Sequence, residues 1–130
     1  MSFVGPAIAV ALGAVLGAWL RWGLGMWLNE RAPQVPLGTL AANLVGGYAV
    51  GVAIALFSDR TGISPEWRLF IVTGFLGGLT TFSTFSVEVV TLIGRQEYWW
   101  AMGAASVHLV GSLMLTAVGI LIVNALFVRA

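Results

Sequence analysis

The chain has no cysteine and no lysine, and only 8% of its 130 residues are charged. Each scarcity excludes something. Without cysteine there is no disulfide framework, thiolate metal site or thiol nucleophile. Six arginines against five acids leave a formal net charge of +1, so no basic face exists for a nucleic-acid partner. Soluble domains carry about a quarter charged residues, whereas 59% of this chain is hydrophobic. A soluble protein this short has no means of hiding so much apolar surface, because small domains bury only a modest fraction of theirs. Lipid is the solvent that fits. The N-terminal "MSFVGP" lacks the positive region of a cleaved signal peptide, so residues 1–130 are expected to form one mature membrane domain.

A helix needs about 20 apolar residues to cross a bilayer core about 30 Å thick. Four segments qualify, at about 4–28, 37–57, 66–93 and 98–128. Pro6 stands where an early helical turn tolerates it. "APQVP" separates the first two segments, and "SPE" opens the third with Ser64 as cap and Pro65 at the first helical position. Short connections make neighbouring helices antiparallel. Trp19, Trp22, Trp27, Trp67, Tyr98, Trp99 and Trp100 cluster near the expected interfaces, as an aromatic belt does. The fold class is therefore an all-α, four-span membrane protein.

Arginines normally collect on the cytoplasmic side. Here Arg60, Arg68 and Arg129 fall on one side, and Arg21, Arg31 and Arg95 on the other. One reading is a weak bias that the span boundaries fail to resolve. The other is a chain that inserts both ways, with two opposed copies pairing about a two-fold axis in the membrane plane. Inverted repeats of transporters have that geometry, with sites near the midplane. Four helices are also few for enclosing a pathway, which favours an antiparallel homodimer.

The third segment contains "TGFLGGLTTFSTFSVE", residues 73–88, with Gly77 and Gly78 ahead of Thr80, Thr81, Ser83, Thr84 and Ser86. Gly77 lies about eleven residues into the span, or about 16 Å at 1.5 Å per residue, close to mid-membrane. Two readings stand level. Either the helix is interrupted near the midplane and the hydroxyls satisfy freed backbone groups, or it continues and the hydroxyls bond back to the preceding turn. An interruption leaves carbonyls that suit a cation and amides that suit an anion. In an antiparallel dimer both interruptions meet near the axis, where carbonyls from two chains suit a hard cation such as Na⁺. Phe82 and Phe85 share a helix face, and their electropositive edges suit a small anion. Gly13/Gly17, Gly47/Gly51 and Gly74/Gly78 each match the small-xxx-small pattern; the first two read as plain helix packing, while Gly77 and Gly78 are expected to do more.

Three further features are polar at depth. Asn43, in "LAANLVGG", offers an amide to an anion or to another helix. His108, Ser112 and Thr116 recur at intervals of four and form one polar stripe. That stripe reads as a pathway lining, and a lone histidine makes a metal site improbable. Glu88 either accepts hydrogen bonds from pathway hydroxyls or anchors the interface. Arg21 either snorkels or lines a vestibule.

"GFLGGLTTFSTFS", with "GAWLRW" and "LAANLVGG", closely resembles the signature of the Fluc (CrcB) family of fluoride channels. The four-span pattern extends the resemblance over essentially the whole chain. It implies a dual-topology antiparallel homodimer in the bacterial inner membrane, with two fluoride pores at the subunit interface and a structural Na⁺ on the axis. By the same resemblance, Gly77 and Thr80 supply the Na⁺ carbonyls. Phe82 and Phe85 face fluoride, and Asn43 is the pore amide. Ser83, Thr84, Glu88, Ser112 and Thr116 belong to the polar path, while His108 stands at a track position that varies within the family.

The expected function is passive fluoride export with no bond made or broken, hence no enzyme. A small multidrug-type proton-coupled transporter is the alternative four-span, dual-topology class. It requires a carboxylate within the first span, and none is there. A non-transporting assembly subunit or holin-like protein has no use for two polar features at mid-membrane.

Overall fold

The computed structural model describes residues 3–59 and 62–128. Arg60 and Arg129, two of the arginines counted above, lie outside the described residues. Helix α1 spans Val4–Leu28 and ends in a 3₁₀ turn, Asn29–Arg31. Helix α2 spans Leu37–Asp59. The third span begins with α3, Pro65–Arg68, continues as a π-helical stretch over Leu69–Leu76 and closes its first part with α4, Gly77–Leu79. Thr80 and Thr81 have extended dihedrals, with ψ 154° and 119°. Helix α5 then runs Phe82–Gly94, and α6 runs Tyr98–Val123 before a final π turn, Asn124–Val128. Among the described residues four stretches are long and apolar enough to cross a membrane: Val4–Arg31, Leu37–Ser58, Pro65–Gly94 and Tyr98–Phe127.

Local chemistry accounts for the boundaries. The Ser64 hydroxyl accepts the Trp67 amide and Pro65 sits at the first helical position, as expected. Asn29 works across the first hairpin. Its Oδ1 accepts the amides of Gly38 and Thr39, at 2.8 and 3.3 Å, and so caps α2 from the far end of α1. Between α5 and α6 the chain turns through Gln96, whose φ is 63°. There the Gln96 amide reaches the Ile93 carbonyl and the Glu97 amide reaches Leu92, each at 2.9 Å, which satisfies carbonyls at the helix end.

Helix packing follows the small residues. Helix α1 lies along the first part of the third span, and α2 lies along α6. A Cβ placed on Gly17 would sit 2.1 Å from the Phe75 carbonyl oxygen, and one on Gly51 would sit 2.2 Å from that of Thr116. Only glycine permits backbones this close. Gly78 belongs to the same seam, against Ala14, whereas Gly77 is exposed and meets nothing nearer than 3.8 Å. The expected special pair thus divides: one glycine packs, the other does not. Both are helical, and the extended residues are the two threonines that follow.

Ala42, Ala53, Leu76 and Leu79 form the main buried cluster, at the junction of α2 and the third span. A second cluster, Leu92, Ala101 and Ala104, sits between α5 and α6, with Val35 of the first loop packed over it. Helix α5 leans chiefly on α6. This leaves a cleft of about 390 Å³ flanked by α2, the middle of the third span and α6.

Candidate functional site

The cleft is built where the third span leaves helical geometry. An ordinary helix would bond the Thr81 amide to the Gly77 carbonyl. Here that amide turns to Asn43 Oδ1, at 2.7 Å, and Asn43 Nδ2 donates to the Thr81 carbonyl at 3.0 Å. The α2 side chain therefore replaces backbone pairing in the third span. Thr81 also caps α5: its Oγ1 accepts the Thr84 amide at 3.1 Å and donates to Thr84 Oγ1 at 3.0 Å. Ser83 Oγ lies 3.3 Å from the same hydroxyl. Thr80 bonds back to the Leu76 carbonyl at 2.9 Å. Capping and back-bonding, the two uses of hydroxyls weighed from sequence, occur on adjacent residues.

The carbonyl side is equally specific. Arg21 Nε donates to the Gly78 carbonyl at 3.0 Å. The arginine is half-buried and clamps α1 to the third span, a contact more definite than snorkelling. With the Thr81 amide diverted, the Gly77 carbonyl loses its ordinary helical partner. Among the described residues no cluster of three or more His, Cys, Asp or Glu side chains is present.

Aromatic rings form a row along the cleft. Phe82 and Phe85 meet edge to face, with centroids 5.5 Å apart, and Phe85 lies 4.7 Å from the His108 ring at a 33° tilt. Phe82 is 77% exposed, so the end of the row projects from the chain. His108 is buried, and its Nδ1 lies 3.0 Å from Asn43 Nδ2. One and two turns further along α6, Ser112 and Thr116 line the same cleft. Thr116 Oγ1 is directed at the Gly47 and Ser112 carbonyls, at 2.8 and 2.9 Å.

The structure brings Asn43, Gly77, Thr80, Phe82, Phe85, His108, Ser112 and Thr116 to one cleft. Ser83 and Thr84 join it through Thr81. Glu88 stands apart, about one turn beyond Thr84 along α5, where Thr39 Oγ1 donates to Glu88 Oε1 at 2.6 Å. Two participants were missing from the expected set. Thr81 is the hub of the hydrogen bonds, and Thr39 is buried. The signal for Thr39 is in the sequence: it lies four residues before Asn43, hence on the same face of α2.

Among the described residues no arginine and no carboxylate lines the cleft. An amide, hydroxyls, an imidazole and ring edges are able to replace a small anion's hydration shell piece by piece without fixing a countercharge. Comparison with known proteins agrees with that chemistry. A protein named fluoride-specific ion channel FluC from Pseudomonas putida (strain W619) is 60% identical over 113 residues, 87% of this chain and 89% of the relative. One of the same name from Nitrosomonas europaea is 59% identical over 115 residues, covering 88% and 91%. Another, from Burkholderia vietnamiensis (strain G4), is 57% identical over 123 residues, covering 95% and 96%. Residues 8–120 match the family described as CrcB-like protein, Camphor Resistance (CrcB), and the chain belongs to that family.

Proposed function

We propose that this protein is a fluoride-specific ion channel, a multi-pass protein of the cell membrane that lets fluoride leave the cytoplasm down its electrochemical gradient. The observation that carries the reading is the polar cleft without a carboxylate or arginine, in a chain 57–60% identical to relatives named fluoride-specific ion channels. Dehydration is the main barrier for so strongly hydrated an ion. The hydroxyls of Ser83, Thr84 and Ser112 offer hydrogen-bond donors in place of water, while Asn43 and Thr116, whose donors are engaged within the chain, shape the path. Phe82 and Phe85 offer ring edges, and Glu88 with Thr39 marks the end of the path. No covalent chemistry is needed, so the protein is not an enzyme. The multidrug-type alternative lacks its essential carboxylate, since α1 contains no Asp or Glu.

The functional unit is an antiparallel homodimer of four-span domains. The cleft is open on one side, and Phe82 extends out of the chain, so a second copy would complete its wall. Thr80 and Thr81 stand halfway along the 30-residue third span, which supports an interruption near the midplane in either orientation. The Gly77 and Thr80 carbonyls fit a structural Na⁺ on the axis, because a hard cation prefers carbonyl oxygen and two such oxygens per chain are doubled by the dimer. When bound, the ion would join the two interruptions, while Arg21 holds the intervening Gly78 carbonyl in place.

The deciding experiment is efflux from liposomes containing the purified protein, loaded with fluoride or with chloride. Fluoride is expected to leave rapidly while chloride is retained. Equal rates for the two ions, or no fluoride release, would overturn the function.

A further inference from the structure

We propose that Asn43 locks His108 as the Nε2–H tautomer and that this N–H is a binding point for the permeating anion, whose identity as fluoride rests on the function above. The argument starts from a backbone amide, which can only donate. The Thr81 N–H lies 2.7 Å from Asn43 Oδ1, which fixes the orientation of the side-chain amide. Turning it over would set two donors against each other there and two oxygens against each other at the Thr81 carbonyl. Asn43 Nδ2 must then spend one hydrogen on that carbonyl, at 3.0 Å, and one on His108 Nδ1, at 3.0 Å. An amide nitrogen does not accept hydrogen bonds, so Nδ1 is the acceptor. The single hydrogen of a neutral imidazole is therefore on Nε2.

That hydrogen has nowhere to go. His108 is 4% exposed, and among the described residues Nε2 is a buried side-chain nitrogen without a hydrogen-bond partner. A buried, unsatisfied donor is costly, and each one in a native fold calls for a cause. The site gives one. His108 borders the cleft, and Ser112 follows one turn along the same face of α6. The missing partner is a small acceptor that comes and goes. Fluoride, the smallest halide and a strong acceptor, meets that requirement as the transported ion. The imidazole serves it as a neutral donor rather than as a proton carrier, since Nδ1 is already engaged. Phe85 packs against the imidazole, with ring centroids 4.7 Å apart, so the ring that faces the anion path and the proposed donor are neighbours.

His108 is the only histidine, so ¹⁵N-histidine labelling of the whole protein gives one unambiguous pair of ring signals. In bilayers, Nε2 is expected to be protonated and Nδ1 unprotonated. Sodium fluoride should shift Nε2 saturably and bring ¹⁹F within dipolar range of it, whereas equal sodium chloride should not. A protonated Nδ1 would overturn the proposal. So would an Nε2 signal indifferent to fluoride in liposomes that release fluoride, the result expected if water alone fills the position. Absence of release from those liposomes would instead refute the channel function itself. Two variants add a second test. His108→Asn reaches only as far as Nδ1, while His108→Gln places an N–H near Nε2. Efflux should slow about tenfold in the first, the factor that corresponds to about 1.4 kcal/mol. It should stay within about threefold of the parent in the second, because the donor to the anion is kept. Unchanged efflux in His108→Asn would sink the donor role.

Discussion

Asn43 and Thr81 hold each other by two antiparallel hydrogen bonds, 2.7 Å from the Thr81 amide to Oδ1 and 3.0 Å from Nδ2 to the Thr81 carbonyl. The pair resembles a fragment of β-ladder made between a side chain and a backbone. It lets the third span carry two extended residues inside an apolar medium, where an unpaired amide would be costly. Structure and function therefore depend on the same residue.

Asn43→Asp separates acceptor from donor. The carboxylate still accepts the Thr81 amide, but its second oxygen faces the Thr81 carbonyl and the His108 Nδ1 lone pair. It also brings a negative charge into an anion path. Fluoride efflux should fall below detection. Thermal stability in detergent should drop by about 1–3 kcal/mol, the penalty for buried groups left unpaired. An efflux rate within twofold of the parent would refute the assignment of Asn43 to the path.

Phe82 offers the opposite contrast. With 77% of its surface exposed, it contributes little to the stability of its own chain. Phe82→Ile should leave the packing of its own chain nearly unchanged, because the ring makes few contacts there. It removes the ring edge while keeping the bulk apolar, so fluoride efflux should be lost. A dimer of normal size on gel filtration, without efflux, is the expected result. Full efflux would reduce Phe82 to a packing residue.

Two glycines test the helix seams. A valine at Gly17 would drive its Cβ against the Phe75 carbonyl, and the backbone there has no flexible end to yield. Gly17→Val should cost about 1–3 kcal/mol or more, visible as poor yield of monodisperse protein. Gly5 has nothing within 4 Å of an added Cβ. Gly5→Ala should be neutral or slightly stabilising by gel filtration and thermal melting, because alanine favours the helix.

The spans were legible because hydropathy is additive along a chain. Boundaries read from "SPE" and from the apolar runs fall within two residues of the starts and ends of the first three helices. The position of the extended residues was less so. Gly77 and Gly78 attract attention as helix breakers, yet both are helical, and Gly78 is small because Ala14 approaches it. The extended pair is Thr80 and Thr81, whose geometry depends on a side chain 38 residues away. No local propensity encodes that partner. The same limit applies to Phe85 against His108. Each was assigned to the path from its own span, but their 4.7 Å contact is a product of how α5 leans on α6. Thr39 escaped notice because threonine is unremarkable near a helix start, and its meaning comes from Glu88 across the fold.

The α5–α6 turn carries a correctable strain. Gln96 adopts φ 63°, a left-handed conformation that costs a residue with a Cβ about 1–2 kcal/mol. Glycine occupies it freely but gives up some entropy on folding. Gln96→Gly should therefore stabilise the protein by about 0.5–1 kcal/mol. Its midpoint of thermal unfolding should rise with fluoride efflux unchanged. A lower midpoint would show that the Gln96 side chain contributes something the backbone geometry does not explain.

Orientation gives the last test. The arginines divide three against three in sequence, and Arg21 is spent on the Gly78 carbonyl inside the fold, so it counts weakly as a loop charge. The remaining imbalance is one arginine, too little to impose a direction when orientation responds to the summed Lys and Arg bias near span ends. The chain has no native cysteine, so one cysteine added after Ala130 reports its own side. In intact cells, a membrane-impermeant maleimide should label about half of the molecules, because balanced charges insert both ways. Two lysines added beside that cysteine should drive the C-terminus inward in every molecule and abolish efflux. Co-expression with a copy biased the other way should restore it. If the unbiased protein labels completely or not at all, the antiparallel homodimer is wrong. The cleft would then have to be closed by a partner in parallel orientation.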